Sequence, residues 1–290
     1  AMANPEHLDR LLQGVKAWNH WRKENPDIEL DLSEADLSNV NLSRIDLSEA
    51  ILCSANLTNA DLRGADLRGA DFTNANLSGA ILKKKGVGLA FKDANLSGAV
   101  LSGVDLRGAD LSSIDLRDVD VCGANLSGQN LSDTDLSAKN LSKTIFCGAD
   151  LSDTDLYDAD LRGADFTDAN LNGADLTNAD LRGAILRNVS IDHADLSDTV
   201  LCGVDFCGTD LSGRDLSGQD LSNSNLSDSN LKGTQVLGTN FNAATLTGAC
   251  IEDWNINSHT NLQDVICEYV FTRYDHEKHQ FTDRLPHDPT

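Results

Sequence analysis

The sequence predicts an all-β solenoid, and three observations predict it. The first is a five-residue period. From Leu32 to Leu82, and again from Phe91 to Ile256, every fifth residue is apolar, 45 positions comprising 34 Leu, 6 Phe, 3 Ile and 2 Val. The second is the company these central residues keep. The residue before the centre is Asp 22 times and Asn 12 times, the residue two before is Ala 22 times, and the residue two after is Gly 19 times. The third is the period itself, which matches neither the 3.6 of a helix nor the 2.0 of a strand. Gly, Asn and Asp tolerate positive φ at the third position of a type II turn, so their recurrence marks a corner every five residues. A chain of short extended pieces and regular corners must wind, with Leu and Ala inside and a polar skin outside. Small Ala beside large Leu lets a thin interior fill without voids.

The elements follow in order. Residues 1–29 are expected to form a helical cap over the first coil. Asn4 is placed as N-cap, with Pro5 at the first helical position and Glu6 in the first turn. One helix is expected over 5–24, with an apolar stripe of Leu8, Leu11, Leu12, Val15 and Trp18, ended by Pro26. The solenoid runs over 30–272. Between Leu82 and Phe91 the spacing is nine, and 83–90 reads as a basic loop opening Lys83-Lys84-Lys85-Gly86-Val87-Gly88. It lacks the GxxxxGK[ST] order of a phosphate loop. Lys83, Lys84 and Lys85 are instead candidates for docking an acidic or anionic partner. After Ile256 the period slips by one, and 257–272 is expected to be a terminal coil and cap, bulked by Trp254, Tyr269, Val270 and Phe271. Residues 273–290 read as a flexible tail.

Units such as Ala60–Gly64 and Ala65–Gly69, both ADLRG, resemble the repeats of the pentapeptide-repeat family, A(D/N)LXX, over roughly residues 30–257. The resemblance implies a right-handed β-helix of square cross-section with four repeats per coil, so that 45 repeats make about 11 coils. Residues 20 apart then share a column. Phe146, Phe166 and Phe206 fall in one column, with the first two stacked. Arg162 and Arg182 fall in adjacent coils, interrupt one acidic face and are candidates for partner binding. Four positions that should face inward carry long polar side chains: Gln129, Lys139, Arg214 and Gln219. An unpaired buried charge is costly, so the wall is expected to deform there, or the polar heads to reach solvent, water or carbonyls.

Charge and composition narrow the function. The formal net charge is −23, of which residues 31–257 hold 35 acids and 16 bases, net −19. Such a surface disfavours nucleic acid and anionic membranes as partners, and no apolar run is long enough to span a bilayer. The acids also have a local explanation, because Asp and Asn side chains satisfy nearby backbone N–H groups. The seven Cys are never 20 apart and are expected to be free thiols in a reducing, cytoplasmic setting. No catalytic constellation, metal site or cofactor is expected: Ser, Asp and His are spread over a repeating skin rather than gathered in a cleft. The reading is a monomeric, non-enzymatic interaction module presenting rigid polar faces to a protein partner. The alternative, carried by the resemblance, is DNA mimicry directed at a type II topoisomerase such as DNA gyrase. Some members act in that way as acidic dimeric rods, but the sequence shows none of the long apolar helix by which they dimerise.

Overall fold

A computed structural model describes residues 2–82, 91, 93–109, 111 and 114–286. It comprises two compact units, Ala1–Asn130 and Leu131–Thr290. Both are wound from the same repeat. In the first, Asp31, Ile51 and Asp71 pair in parallel in succession; in the second, Asp135, Asp155, Asp175 and Asp195 do. Partners 20 residues apart mean four five-residue sides per coil. The corners are the positive-φ residues two after each centre, for example Glu34 (φ 58°), Gly64 (φ 71°) and Asp153 (φ 54°).

One repeat's hydrogen bonds explain its composition. The amide of Leu32 donates to Ile51 O (2.8 Å), and that of Glu34 to Cys53 O (2.8 Å). The Ala35 amide closes the corner on Leu32 O (3.1 Å), and the Asp36 side of the next coil is met when the Asn56 amide donates back to Ala35 O (2.9 Å). Four of the five N–H groups are thereby used on backbone oxygens. The fifth, on the residue after the centre, has no backbone partner in this winding. It is bound by the side chain two residues earlier, as when Asp31 Oδ1 accepts the Ser33 amide at 3.0 Å. Asn does the same, as at Asn41–Ser43 (3.0 Å). Asp and Asn precede the centre because the backbone needs an acceptor there.

The interior is the expected Leu, Ala and Phe column structure. Phe146 and Phe166 lie stacked, with ring centroids 4.9 Å apart and an interplanar angle of 11°. The pairs Ile145–Asp165, Asp165–Ile185 and Ile185–Asp205 continue that column to Phe206, which is buried as well.

In the first unit, the expected single helix is two: α1 (Pro5–Leu12) and α2 (Val15–Glu24). Gly14, with φ 112°, breaks the chain between them in a conformation that no L-residue adopts readily. Asn4 caps α1 as expected, its side chain accepting the Glu6 amide at 3.0 Å. The apolar stripe is narrower than expected: Leu11 and Trp18 are buried, whereas Leu12 is exposed. Polar contacts do the rest. Trp18 Nε1 donates to Asp46 O (2.7 Å), and Asn19 bonds both Arg44 O (2.9 Å) and the Asp46 amide (2.9 Å). His7 Nδ1 accepts the Asp31 amide (3.2 Å). These are bonds to wall amides and carbonyls that have no preceding coil to meet. Further on, Asp71 pairs with Asn95 and Asn76 with Val100, each 24 apart. The pairing interval is therefore four residues longer there than at Asp31–Ile51 and Ile51–Asp71.

At the end of the second unit the pairings become Asn240–Asn261, Thr245–Ile266 and Cys250–Phe271, all 21 apart, which is the one-residue slip. Ile256, Leu262 and Ile266 are exposed, because no later described coil covers them. The tail expected over 273–290 is corrected by the structure as far as residue 285, and residues 287–290 lie outside the described residues. Residues Val270–Asp275 (β1) and Gln280–Leu285 (β2) form an antiparallel hairpin, pairing Arg273 with Thr282 and Tyr274 with Phe281. Residues 270–275 and 280–285 are rich in aromatic and β-branched residues, which suit strands, and Asp275 Oδ1 accepts the Glu277 (3.0 Å) and Lys278 (3.1 Å) amides at the tip.

Candidate interaction surfaces

The acidic wall carries less free charge than its composition suggests. Wherever a repeat reads Asp-Leu-Arg, the arginine folds back on its own aspartate. Arg162 Nη2 lies 2.6 Å from Asp160 Oδ2, and Arg182 Nη2 lies 2.5 Å from Asp180 Oδ2. Both are two-pronged forks, with Nε also bonded. The same forks join Arg63 to Asp61, Arg68 to Asp66, Arg107 to Asp105 and Arg117 to Asp115. Arg187 follows Ile185 instead and reaches Asp205 in the next coil (2.6 Å). Arg162 and Arg182 do sit in adjacent coils, since Asp160 pairs with Asp180. The Arg162 guanidinium holds the Asp160 carboxyl below its usual range, and Arg182 does so for Asp180. Both arginines are engaged in the skin rather than standing as free cations. Lys83, Lys84 and Lys85 lie outside the described residues.

The inward polar residues sort into a pattern that sequence reasoning had only in part. Gln129 is buried, and its Nε2 donates to Leu106 O (2.8 Å) and Ala109 O (3.0 Å). Gln219 reaches Leu196 O (3.4 Å). Arg214 donates to Ala194 O (2.9 Å) and Ile191 O. Thr154, Thr209, Ser224 and Thr239 use their hydroxyls likewise, on the carbonyl 23 residues earlier. Lys139 is half-buried, and its carbonyl accepts the Asp160 amide at 2.9 Å.

At Arg214 and Gln219 the wall opens. The parallel pairing that joins coil to coil stops after Ile185–Asp205 and resumes at Asp205–Asn225 and Asp210–Asn230. Among the described residues, the amides of Ile191, Leu196, Leu201, Asp210, Asp215 and Asp220 lack the coil-to-coil backbone bonds their equivalents make elsewhere. Val189 turns its amide to Thr209 Oγ1 instead (3.3 Å). The wall is parted where the Arg214 guanidinium and the Gln219 carboxamide stand five residues apart. Two clefts flank Arg214, of about 220 Å³ toward Gln219 and about 380 Å³ toward His193. Burial pushes the Arg214 guanidinium below its usual pKa, against the pull of Asp192, Asp210 and Asp195.

A third cleft, of about 300 Å³, lies between this part of the wall and the hairpin, lined by Asp210, Asp228 and Asn230 on one side and Tyr274 and Phe281 on the other. No sequence period points to it; the aromatic and β-branched residues over 270–285 are the available signal. No disulfide joins the described cysteines; Cys250 is buried and Cys267 exposed, and burial raises the thiol pKa of Cys53, Cys207, Cys250 and Cys267.

Eight copies of the family model described as pentapeptide repeats match this chain, spanning residues 31–84, 91–128 and 130–248. The chain belongs to the pentapeptide-repeat family. Among solved structures it is similar to HetL, a pentapeptide repeat protein involved in heterocyst differentiation regulation in the cyanobacterium Nostoc sp. strain PCC 7120. That match has 20% identity, covers 97% of this chain and 100% of that one, and has a TM-score of 0.29. The pentapeptide repeat protein alr5209 from Nostoc PCC 7120 is 34% identical over 30% of this chain and 69% of its own, with a TM-score of 0.28. QnrB1, a plasmid-mediated fluoroquinolone resistance protein, is 16% identical over 81% of this chain and 85% of its own, with a TM-score of 0.22. At these TM-scores the superpositions carry no argument about role. No curated protein matches the chain.

Proposed function

We propose that this pentapeptide-repeat protein is a non-enzymatic interaction module, acting in the cytoplasm as a monomer and presenting its walls to a protein partner. The observation that supports this reading best is the division of labour within each repeat. The centre and the residue two before it fill the interior, and the Asp or Asn is committed to a backbone amide. The two residues after each centre are left on a fixed outward lattice, one set every 20 residues. Such a lattice holds side chains in place without the ordering cost that a flexible loop pays on binding. Among the described residues no helix is long and apolar enough to cross a membrane. The test is affinity capture from source lysate at low and moderate salt, read by mass spectrometry. Reproducible enrichment of one protein supports the module; enrichment of nothing, with turnover of a small-molecule substrate by the pure protein, overturns it.

A second reading is DNA mimicry against a type II topoisomerase, favoured by the net charge of −23. Against it stand the Asp–Arg forks, which offset carboxylates on the wall. A supercoiling assay with DNA gyrase, together with the mass by light scattering, separates the two. Inhibition by a dimer at low micromolar concentration selects the mimic; a monomer without effect removes it.

A further inference from the structure

We propose that the cleft beneath the C-terminal hairpin is a receptor for a single arginine side chain of a protein partner; the proposal rests on the interaction-module reading and assigns it a contact. The cleft has a volume of about 300 Å³ and two chemically distinct sides. The wall side is lined by Asp210 and Asp228, and Asp228 Oδ1 lies over the Gly248 corner of the next coil. Asp210 gives one oxygen to the Ser212 amide (2.9 Å), which leaves its second oxygen for a ligand. Asp228 sits at a corner (φ 56°), is exposed, and makes no side-chain hydrogen bond or ion pair among the described residues. It therefore differs from the aspartates of the Asp-Leu-Arg repeats, each of which already holds a guanidinium. The hairpin side carries Tyr274, His279, Gln280 and Phe281, the rings of Tyr274 and Phe281 paired across the strands with centroids 5.8 Å apart.

Carboxylate on one side and aromatic faces on the other is the environment a guanidinium prefers. It donates charge-assisted hydrogen bonds in its plane and stacks on rings across it. An ammonium offers only a point charge, and an anion is repelled by the wall. The hairpin is held in place by bonds on its first strand: Phe271 exchanges backbone bonds with Ala249 and Ile251 (both 2.8 Å), and the Tyr274 amide donates to Glu252 Oε2 (2.7 Å). Lys232, the cation nearest that anchor, is occupied by Glu252 (3.1 Å). The rings are thus positioned before any ligand arrives.

The test is an NMR titration of the isotope-labelled full chain with acetyl-arginine methylamide at physiological ionic strength, where diffuse attraction to an acidic surface is screened. The neutral isostere acetyl-citrulline methylamide is titrated alongside. Saturable shifts at the amides of Gly208, Gln280 and Phe281 with the arginine probe alone are expected. Asp228→Asn should weaken binding by about fivefold or more, while Asp158→Asn, the same charge change on an exposed corner elsewhere, should leave it unchanged. Phe281→Ala should weaken it too, and Asp228→Asn covers the case in which that variant loses the hairpin. Shifts spread along the wall without saturation, equal effects of the two Asn variants, or equal binding of citrulline each overturn the assignment. If the probe fails while lysate capture still finds a partner, only the cleft assignment falls. If the probe binds while capture finds none and the pure protein turns over a small-molecule substrate, arginine binding in the cleft stands and the module reading falls.

Discussion

Asp165 shows what a single residue does in this wall. Its Oδ1 accepts the Thr167 amide at 2.9 Å and the Thr167 hydroxyl at 2.6 Å. The first bond is the fifth N–H of the repeat, which no backbone oxygen reaches. An oxygen acceptor is needed there; a negative charge is not. Asp165→Asn is therefore expected to hold stability within about 0.5 kcal/mol, and Asp165→Ala to cost about 1 kcal/mol, in urea unfolding. Inside the wall the governing quantity is volume. Phe166 is fully buried and stacked on Phe146 at 4.9 Å. Phe166→Ala should cost roughly 3–5 kcal/mol, and a loss below about 1 kcal/mol would contradict the column.

Among elements, the parted wall around Arg214 is where the repeat departs most from its own rule. Elsewhere the position is usually Ala, which leaves the coils free to pair. Arg214 and Gln219 replace backbone bonds with side-chain bonds to Ala194, Ile191 and Leu196 carbonyls. The exchange is unfavourable on balance, because amides on both sides of the opening lose their coil-to-coil partners and a guanidinium is desolvated. The double variant Arg214→Ala, Gln219→Ala is expected to let the wall close, raising stability by about 1–2 kcal/mol. It should also slow hydrogen exchange at the Leu196, Asp215 and Asp220 amides. Lower stability with unchanged exchange would show that the long side chains hold the coils together rather than apart. The helices and the hairpin are elements of a different kind. They arise where the five-residue rule ends, and each is fixed by polar bonds to one edge of the wall, as Trp18 is to Asp46 O.

At the scale of the molecule, the winding was legible in the sequence because the repeat is its own alignment. The spacing of Phe146 and Phe166 predicted their stacking, and the long polar groups at Arg214 and Gln219 predicted either local deformation or heads that reach solvent, water or carbonyls. The ends were not legible, for physical reasons. Gly14 breaks the N-terminal segment by its φ, which an apolar stripe does not encode. The hairpin rests on two strands of six residues, too short for a period to stand out, and it completes a cleft with Asp210 and Asp228 that lie far away in sequence. The engagement of Arg162 and Arg182 with their own aspartates depends on side-chain rotamers that column spacing does not specify.

Charge acts on the whole molecule as well. Hydrogen bonds from Ser33, Ser152, Ser197 and Ser217 lower the carboxyl pKa of Asp31, Asp150, Asp195 and Asp215. A carboxyl with a folded pKa below its unfolded value stabilises the fold above the unfolded value, near 3.9, and that contribution is lost as pH falls through the folded value. Melting temperature should hold level from about pH 7 to about pH 5 and fall below about pH 4. Relief of repulsion within a chain of net charge −23 has the opposite sign. A melting temperature that rose on acidification would mean repulsion outweighs these bonds.

The central claim is that the acidic skin exists to complete the backbone's hydrogen bonds. Asp150, Asp155, Asp165 and Asp175 each accept the amide two residues on, at 3.1, 3.0, 2.9 and 2.9 Å. Urea unfolding of the full chain with all four changed to Asn, beside the chain with all four changed to Ala, tests the claim most directly. The fourfold Asn protein should unfold within about 1 kcal/mol of the parent despite losing four charges, and the fourfold Ala protein should lose roughly 4 kcal/mol. Equal losses in the two proteins would show that the carboxylate charge, rather than its oxygen, is what the wall requires.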